Sequence, residues 1–290
     1  MADQGNSNII SRQYMDSLLL ETRYMNSVNP DTSYGLYGEK FASPIMTAAL
    51  SHVGQDMSKA LSKGAKDAGC VCWYGMADEE EIEQMASTGA RLIEIIKPYT
   101  DRDLIREKIR HAEKSGLLAV GIDIDHPYAE DGSPDMVDGY EMKALTTEEF
   151  RDICSSSSLP VIAKGVLSLY DAEEVLKAGA GGMVLSHHNN RIAYALPPVK
   201  LLPEIAAISP DTVPIFIDGM IQTGMDAFKA LALGAKGVCI GRPLMTAYKK
   251  DPEQGIRDYL LHARDELAKA MAYTGTADLL HMDASVIHTL

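Results

Sequence analysis

The stretch that decides the fold is Gly-Gly-Met-Val-Leu-Ser-His-His-Asn-Asn-Arg, residues 181–191. Its apolar part, Met183 to Leu185, stands between turn-forming residues, which is typical of a buried strand in a parallel sheet. The polar residues that follow, Ser186 to Arg191, then lie just beyond the carboxyl end of the strand, where α/β proteins collect functional residues. Taken alone, the pattern fits an ordinary polar loop equally well, so the rest of the chain must decide.

The polar half of this stretch carries a titratable imidazole and a permanent cation three residues apart, at His188 and Arg191. An imidazole moves a proton near neutral pH, and a guanidinium holds a carboxylate through two parallel hydrogen bonds. The spacing therefore indicates chemistry on a small-molecule carboxylate.

The composition is that of a globular chain with a large net negative charge. Hydrophobic residues make up 46% of the 290 residues, charged residues 23%, and the formal net charge is -14. That charge argues against nucleic acids and anionic membrane surfaces as partners. No apolar run reaches the roughly 18 residues of a membrane span, and no secretory signal is recognisable, so we expect a cytoplasmic protein. The four cysteines form no Cys-x-x-Cys pair, and we expect free thiols.

From Pro44 onward, strand-like and helix-like segments alternate without a low-complexity linker. Eight such β–α units predict an α/β fold, a closed (β/α)8 TIM barrel, and no GxGxxG turn early in the chain points to a Rossmann domain. We predict one domain over residues 1–290, with a short N-terminal extension over residues 1–40 and C-terminal helices over Leu244–Tyr273. The predicted strands are Pro44–Leu50, Cys70–Tyr74, Arg91–Ile96, Leu117–Ile124, Leu159–Ala163, Gly182–Leu185, Pro214–Ile217 and Gly237–Ile240.

Two segments depart from this alternation. In the extension, Ser11–Met25 is predicted to be helical and Asn29–Tyr37 to form turns or a short hairpin. The loop after the fourth strand, Asp125–Ala144, is rich in acids, which is more typical of a solvated loop than of a metal site. Its length also suits a lid over the catalytic end. We predict no metal in this protein.

Ionisable residues follow six of the predicted strands, at the ends that meet at one mouth of a barrel. A single one could belong to a loop ion pair, but packing does not explain why all of them fall at the same end. After strands seven and eight, Asp218-Gly219 and Gly241-Arg242 each open a turn before a helix. Cofactor phosphates commonly bind there, on backbone N–H groups and a helix N-terminus.

These motifs together resemble the FMN-dependent α-hydroxy acid oxidase and dehydrogenase family, to which glycolate oxidase and lactate oxidase belong. The motifs are Lys164-Gly165, Ser186–Arg191, Asp218–Asp226 and the stretch from Lys229 to Pro243, and the likeness extends from about Asn29 to the C-terminus. The resemblance implies FMN as cofactor and oxidation of a 2-hydroxy acid to the 2-oxo acid. It also implies O2 or another carrier as electron acceptor, and a homo-oligomer, either a tetramer or an octamer.

The resemblance implies three catalytic residues. His188 is the implied base, Asp125 the carboxylate that stabilises its protonated imidazole, and Lys164 the cation beside N1 and the C2 carbonyl of the flavin. The implied substrate contacts are Arg191, His187 and Tyr99. The implied FMN contacts are Ala48, Ala49, Ser51, Gly75, Glu94, Lys164, Ser186, Asp218, Gly219, Gly241 and Arg242.

The chain is a divergent and shortened member by this measure. Asn189 and Asn190 replace two glycines of the family pattern, and Gln222 replaces a phosphate-binding arginine, which should weaken FMN binding. Three alternatives therefore stay open. They are an FMN-dependent isomerase of the type 2 isopentenyl diphosphate isomerase kind, an oxidase of a peptide-derived cofactor precursor, and a non-catalytic flavin-binding protein. His188 and Arg191 argue against the first of these, since they belong to the oxidase pattern.

Overall fold

The eight apolar runs form one parallel sheet in the computed structural model, which describes residues 4–290. The first strand in the chain pairs with the eighth, the eighth with the seventh, and so on down to the second. A bridge between Leu50 and Tyr74 joins the two ends of this order. The sheet therefore closes into the predicted (β/α)8 barrel. Its strands are β1 (Ile45–Thr47), β2 (Cys72–Gly75), β3 (Leu92–Ile96), β4 (Ala119–Asp123), β5 (Val161–Val166), β6 (Gly182–Leu185), β7 (Ile215–Ile217) and β8 (Gly237–Ile240).

Nine helices follow the strands in chain order. The predicted C-terminal helical region is two helices, because Pro252 lacks the backbone N–H that a continuous helix would need. None of the helices among residues 4–290 is both long and apolar enough to cross a membrane. The helices are α1 (Gln55–Asp67), α2 (Glu79–Ser87), α3 (Arg102–Lys114), α4 (Thr147–Ser156), α5 (Leu169–Lys177), α6 (Pro198–Ile208), α7 (Gly224–Ala232), α8 (Arg242–Lys250) and α9 (Gly255–Thr274).

Side chains alternate between the barrel interior and the helical layer, as the two-residue period of a strand requires. In β3, Ile93 and Ile95 belong to the inner cluster, whereas Leu92 and Ile96 pack with the helices. The interior is filled by large side chains such as Trp73, whose ring meets that of Phe216 edge-on at 5.0 Å between centroids. Because the interior is packed solid, a ligand can enter only at an end of the barrel.

The N-terminal extension is a helix, Ser7–Ser17, followed by a strand, Leu18–Leu20. The strand pairs antiparallel with Ile287–Thr289 at the other end of the chain. The predicted helix over Ser11–Met25 is therefore wrong beyond residue 17. A partner strand more than 260 residues away holds this segment extended, and local sequence carries no sign of such a pairing.

Two small hairpins complete the fold. The hairpin predicted within Asn29–Tyr37 begins there but extends beyond it, with strands Tyr34–Leu36 and Glu39–Phe41. The long loop after β4 carries a second one, Met136–Val137 paired with Tyr140–Glu141. This hairpin lies on the loop that extends from the carboxyl end of β4, where the predicted active-site residues also lie.

Candidate active site

The turn after β6 places His188 at the carboxyl end of the barrel. The Ser186 hydroxyl accepts a hydrogen bond of 3.0 Å from the His188 backbone N–H. The backbone then stays left-handed over three residues, with φ of 47° at His188, 56° at Asn189 and 69° at Asn190. Asparagine adopts this conformation more readily than most residues, so the turn keeps its shape without the glycines of the family pattern.

The two asparagines also have a binding role that glycine could not fill. The Asn190 side-chain oxygen accepts from the backbone N–H of Ser7 at 2.6 Å, and the Asn189 oxygen accepts from the Asn8 amide at 3.1 Å. Both partners lie in the first turn of the N-terminal helix. The departures at positions 189 and 190 therefore dock the N-terminal helix on the catalytic turn.

A carboxylate orients the His188 ring. Both oxygens of Asp125 lie 3.1 Å from His188 Nδ1. Burial raises the pKa of Asp125, but its hydrogen bond to His188 and the imidazole charge hold it below the usual value. The carboxylate is therefore ionised, and we assign Nδ1 as the protonated ring nitrogen that donates to it. Gly165 makes the approach possible, since a Cβ atom at that position would lie 2.2 Å from Asp125 Cγ.

Two buried lysines share a second carboxylate beneath the ring. Asp123 accepts from Lys97 Nζ at 2.7 Å and from Lys164 Nζ at 2.8 Å, and its Oδ1 lies 3.7 Å from His188 Nδ1. Although burial opposes ionisation, Lys164, His188 and Lys97 hold the pKa of Asp123 well below its usual range. The three buried charged groups therefore stabilise one another, with one net positive charge.

Lys97 directly follows the third predicted strand and Asp123 lies at the end of the fourth, but neither is among the predicted site residues. The signal that could have found them is the strand alternation. Lys97 continues the inward register of Ile93 and Ile95, and Asp123 ends β4 facing the same interior. Residues of inward register at a strand end point into the mouth of a barrel.

A second histidine meets the first from the loop after β4. His126 Nε2 lies 3.1 Å from His188 Nε2, and the two rings meet edge-on at 4.3 Å between centroids. Its other nitrogen, Nδ1, lies 3.0 Å from Asp135. Burial, the His188 charge and Lys97 lower the pKa of His126 to about 4, so this ring is neutral at physiological pH.

The same loop holds Arg191. Its guanidinium lies 2.5 Å from an Asp135 oxygen and 3.3 Å from His126 Nε2, and it donates to the backbone carbonyl of Tyr128. His188 and Arg191, the pair that the sequence singled out, are thus linked through the His126 ring. The structure places the implied base and the implied carboxylate anchor on either side of one imidazole.

Asp123, His126 and His188 also have the spacing of a metal site, with ligand atoms within 4.8 Å of one another. Lys97, Lys164 and Arg191 contact these same three side chains. Three cations in the surroundings oppose a divalent ion. The absence of a metal stays a prediction.

A cavity of about 1060 Å³ opens beside His188 at the carboxyl ends of β1, β7 and β8. This volume is at the upper end of the range for small-molecule and cofactor pockets, roughly 300–1,000 Å³. Of the residues implied to contact FMN, those on its wall are Ala48, Ala49, Lys164, Asp218, Gly219, Gly241 and Arg242.

One part of the cavity wall fits a phosphate. Helix α8 begins after Gly241 without a side-chain cap, and residues of its first turn line the cavity, so the positive end of the helix dipole lies there. Arg242 contacts Asn8 and Met220, both uncharged, and its cation is available to an anion. Lys164 stands on the wall next to His188. These residues fit a phosphorylated flavin, with its phosphate at α8 and its ring beside Lys164.

The remaining cofactor candidates lie behind this wall. Ser51 and Gly75 are in contact at the ends of β1 and β2, and Ser186 serves the turn described above. His187 is also buried, with its Nδ1 accepting from the Asn190 N–H and its Nε2 near Gly219 without a partner. Burial lowers the pKa of His187 and keeps it neutral. His187 is not among the residues that line the cavity, and its contact with substrate stays a prediction.

Two further candidates do not line the cavity beside His188. Glu94 falls on the outer face of β3, where it lines a separate cavity of about 220 Å³ with Lys108 and His111, so it cannot contact a flavin in the barrel mouth. Burial raises its pKa to about 7. Tyr99 packs against Tyr140, with 5.5 Å between the ring centroids, and its contact with substrate stays a prediction. The strand alternation decides the correction of Glu94, because it turns residue 94 toward the helices.

Comparisons with known proteins agree with this geometry. The model of the family "FMN-dependent dehydrogenase" matches residues 1–144 and 130–289. Glycolate oxidase 1 of Oryza sativa subsp. indica is 28% identical over 320 residues, which span 96% of this chain and 86% of the relative. Glycolate oxidase of Spinacia oleracea is 28% identical over 318 residues, with the same shares of both chains.

Solved structures give the same result. Mandelate oxidase in complex with (S)-2-phenylpropionate superposes with a TM-score of 0.86 at 25% identity, over 99% of this chain and 90% of that one. A mandelate oxidase variant with a monooxide FMN adduct superposes with a TM-score of 0.84 at 26% identity, over 99% and 92%. FMN as the cofactor is thereby confirmed. The chain belongs to the FMN-dependent dehydrogenase family and is an FMN-dependent oxidoreductase of the α-hydroxy acid oxidase kind.

Proposed function

We propose that this protein oxidises a 2-hydroxy acid to the 2-oxo acid, with His188 as the base and Arg191 as the carboxylate anchor. The observation that carries the proposal is the His188–Asp125 pair at the edge of a cavity that fits FMN. A base without a partner carboxylate would lose much of its power, since the imidazolium would form in a partly buried site.

The chain's own residues account for the proton transfer. With Nδ1 bound to Asp125, His188 presents Nε2 to the hydroxyl group of the substrate and can accept its proton. Asp125 and Asp123 then stabilise the resulting imidazolium, as they lie 3.1 and 3.7 Å from Nδ1. Bound FMN supplies the acceptor for the two electrons that leave the substrate. Lys164 would place a positive charge at the edge of that acceptor.

Arg191 would fix the substrate by its acid group. A guanidinium binds a carboxylate in two-pronged geometry, which orients the hydroxyl-bearing carbon relative to His188. We propose O2 or another carrier as the final electron acceptor, and a single-domain chain that assembles as a homo-oligomer. A cytoplasmic location is consistent with the composition.

Anaerobic stopped-flow reduction of the bound flavin by a panel of 2-hydroxy acids tests the proposal. His188→Gln should retain FMN and slow reduction by a factor of about 100 to 10,000, the usual contribution of a general base. His187→Gln is the matched control, because it changes the adjacent imidazole, which lies behind the cavity. If the His187 variant alone loses flavin reduction, the base is His187 and the assignment to His188 is wrong. If no 2-hydroxy acid reduces the wild-type flavin, the substrate class is wrong.

A further inference from the structure

The proposed carboxylate anchor already holds a carboxylate of its own chain. Arg191 Nη2 lies 2.5 Å from Asp135 Oδ2 and donates to the Tyr128 carbonyl. Its Nη1 lies 3.3 Å from His126 Nε2. All three partners belong to the loop after β4. Asp135 therefore occupies Nη2 of the guanidinium, one of the donors that a substrate acid group would use.

The loop reaches the proposed base as well. His126 Nε2 lies 3.1 Å from His188 Nε2, the nitrogen that would accept the substrate proton. Asp125 and Asp135 take the Nδ1 sides of the two rings. The two Nε2 atoms consequently face each other at this distance. Base and anchor are thus both engaged by side chains of the same loop.

The charged side chains that are bonded around His188 and Arg191 balance one another while Asp135 is in place. Both members of its ion pair are largely buried, with 16% of the Asp135 side chain and 22% of the Arg191 side chain exposed. Although burial opposes ionisation, Arg191 and His126 hold the pKa of Asp135 below its usual value. Three cations thus face three carboxylates, and an incoming acid would add a fourth. The cations are Lys97, Lys164 and Arg191, and the carboxylates are Asp123, Asp125 and Asp135.

We propose that Asp135 is an internal stand-in for the substrate carboxylate, and that 2-hydroxy acids bind to Arg191 in exchange for it. The inference rests on the proposed function, since it takes Arg191 as the anchor. It makes Asp135 a residue that sets substrate affinity. An acid binds well only if its contacts outweigh those that the loop gives up.

The loop is built so that its first half can leave while its second half stays. Residues 127–135 are bonded mainly to one another, through Ala129 to Ser133 and through Asp135 to Pro127. The second half is tied to the barrel rim, where Arg102 donates to the carbonyls of 143 and 144, and Thr100 N–H donates to Glu141. Asp135 is joined to the second half by the Met142 N–H, which donates to its backbone carbonyl. Release of the first half therefore breaks this one bond and leaves the bonds at the barrel rim in place.

Binding of 2-hydroxy-2-methylpropanoate to the FMN-loaded protein shows whether Asp135 competes with the acid for Arg191 or only orients the Arg191 side chain. This acid has no hydrogen on the hydroxyl-bearing carbon, so it can bind but cannot be oxidised, and flavin absorbance reports its binding. Asp135→Asn removes the competing charge and should lower the dissociation constant about tenfold or more. Asp131→Asn is the matched control, because Asp131 lies on the same loop and contacts Ser133 alone among side chains. It should leave the constant unchanged.

Hydrogen exchange of the loop gives a second sign. If the acid replaces Asp135 at Arg191, it should speed hydrogen exchange of the amides of residues 127–135 in the wild type. A ligand that binds without displacing the loop would slow that hydrogen exchange. Weaker or unchanged binding in Asp135→Asn, or slower loop exchange, overturns the inference. If the wild-type flavin is reduced by 2-hydroxy acids while Asp135→Asn binds no better, the inference alone has failed. If no 2-hydroxy acid reduces either protein, the proposed function falls and the inference with it.

Discussion

Lys164 carries the charge that FMN would meet at the mouth of the barrel. It lies on the cavity wall, whereas Lys97, which shares Asp123 with it, does not. A cation beside the pyrimidine edge favours the anionic reduced flavin, so Lys164→Met should lower the midpoint potential by roughly 30 mV or more, about a factor of ten in the two-electron equilibrium. Spectroelectrochemical titration measures the shift. Lys97→Met should give a smaller one, and equal shifts would show that net charge matters and position does not.

Glu94 is a buried carboxyl that the catalytic site does not use. Its Oε2 atom has no hydrogen-bond partner, and burial raises its pKa to about 7, against about 4.3 in an unfolded chain. Between these two values the folded state binds more protons, so this group lowers stability as the pH rises from about 4.3 to about 7. Glu94→Gln keeps the shape and removes the charge.

The Glu94→Gln variant should therefore be more stable than the wild type at pH 8, by about 3.7 kcal/mol at most. The advantage should vanish near pH 4. Urea unfolding at both pH values measures it. An advantage that does not depend on pH would mean that packing is responsible, and ionisation is not.

Position 94 also shows which residue placements can be predicted from the sequence. The family likeness assigned Glu94 to the flavin, but the alternation of Ile93, Ile95 and Lys97 turns residue 94 outward. The alternation was readable in the sequence and would have corrected the assignment. The contact between His126 and His188 was not readable, since it depends on how a long loop folds back across the mouth.

At the scale of elements, the regular period of each segment fixed the barrel strands and their helices. The eight predicted strands all form, because a buried parallel strand is a short apolar run between turn residues. The N-terminal extension was less predictable. Its helix ends at Ser17 because Leu18–Leu20 finds a partner strand at the C-terminus, and its position rests on single contacts such as Arg12 with Asp226.

The contact between Arg12 and Asp226 can be used to test what holds the N-terminal helix on the barrel. Arg12 donates twice to Asp226, whose side chain is 4% exposed and also caps α7. Arg12→Met would leave this carboxylate buried without its cation and should cost about 2–3 kcal/mol in the free energy of unfolding. Asp16→Asn removes the other, exposed partner of Arg12 and should change stability by less than about 0.5 kcal/mol. Similar losses in the two variants, measured by urea unfolding, would contradict the argument.

At the scale of the whole molecule, the barrel gathers residues that lie far apart in sequence. Ala48 after β1 and Arg242 after β8 share one cavity because these two strands are neighbours in the closed sheet. Closure was predictable from eight β–α units, and it brings the predicted phosphate residues to one wall. A chain of net charge -14 thereby keeps Lys164 and Arg242 on the wall of the cavity that fits an anionic cofactor.

The phosphate end of that cavity should couple FMN binding to the stability of the whole barrel. Arg242 is the cation at the N-terminus of α8, and Gln222, also on the wall, brings no charge to the place of the family's arginine. Arg242→Ala should therefore weaken FMN by about 1–3 kcal/mol, the range for a charged hydrogen bond left unmade.

Because FMN binds the folded state, the rise in melting temperature on adding FMN should shrink in the same variant, while the melting temperature without FMN changes little. Fluorescence titration of FMN gives the affinity and calorimetry gives the stabilisation. Arg264→Ala is the matched control, since Arg264 pairs with Asp265 on the surface of α9. Equal FMN affinity in wild type and Arg242→Ala would place the phosphate elsewhere. A lower melting temperature already without FMN would mean that Arg242 serves the fold through Asn8, by tying α8 to the N-terminal helix.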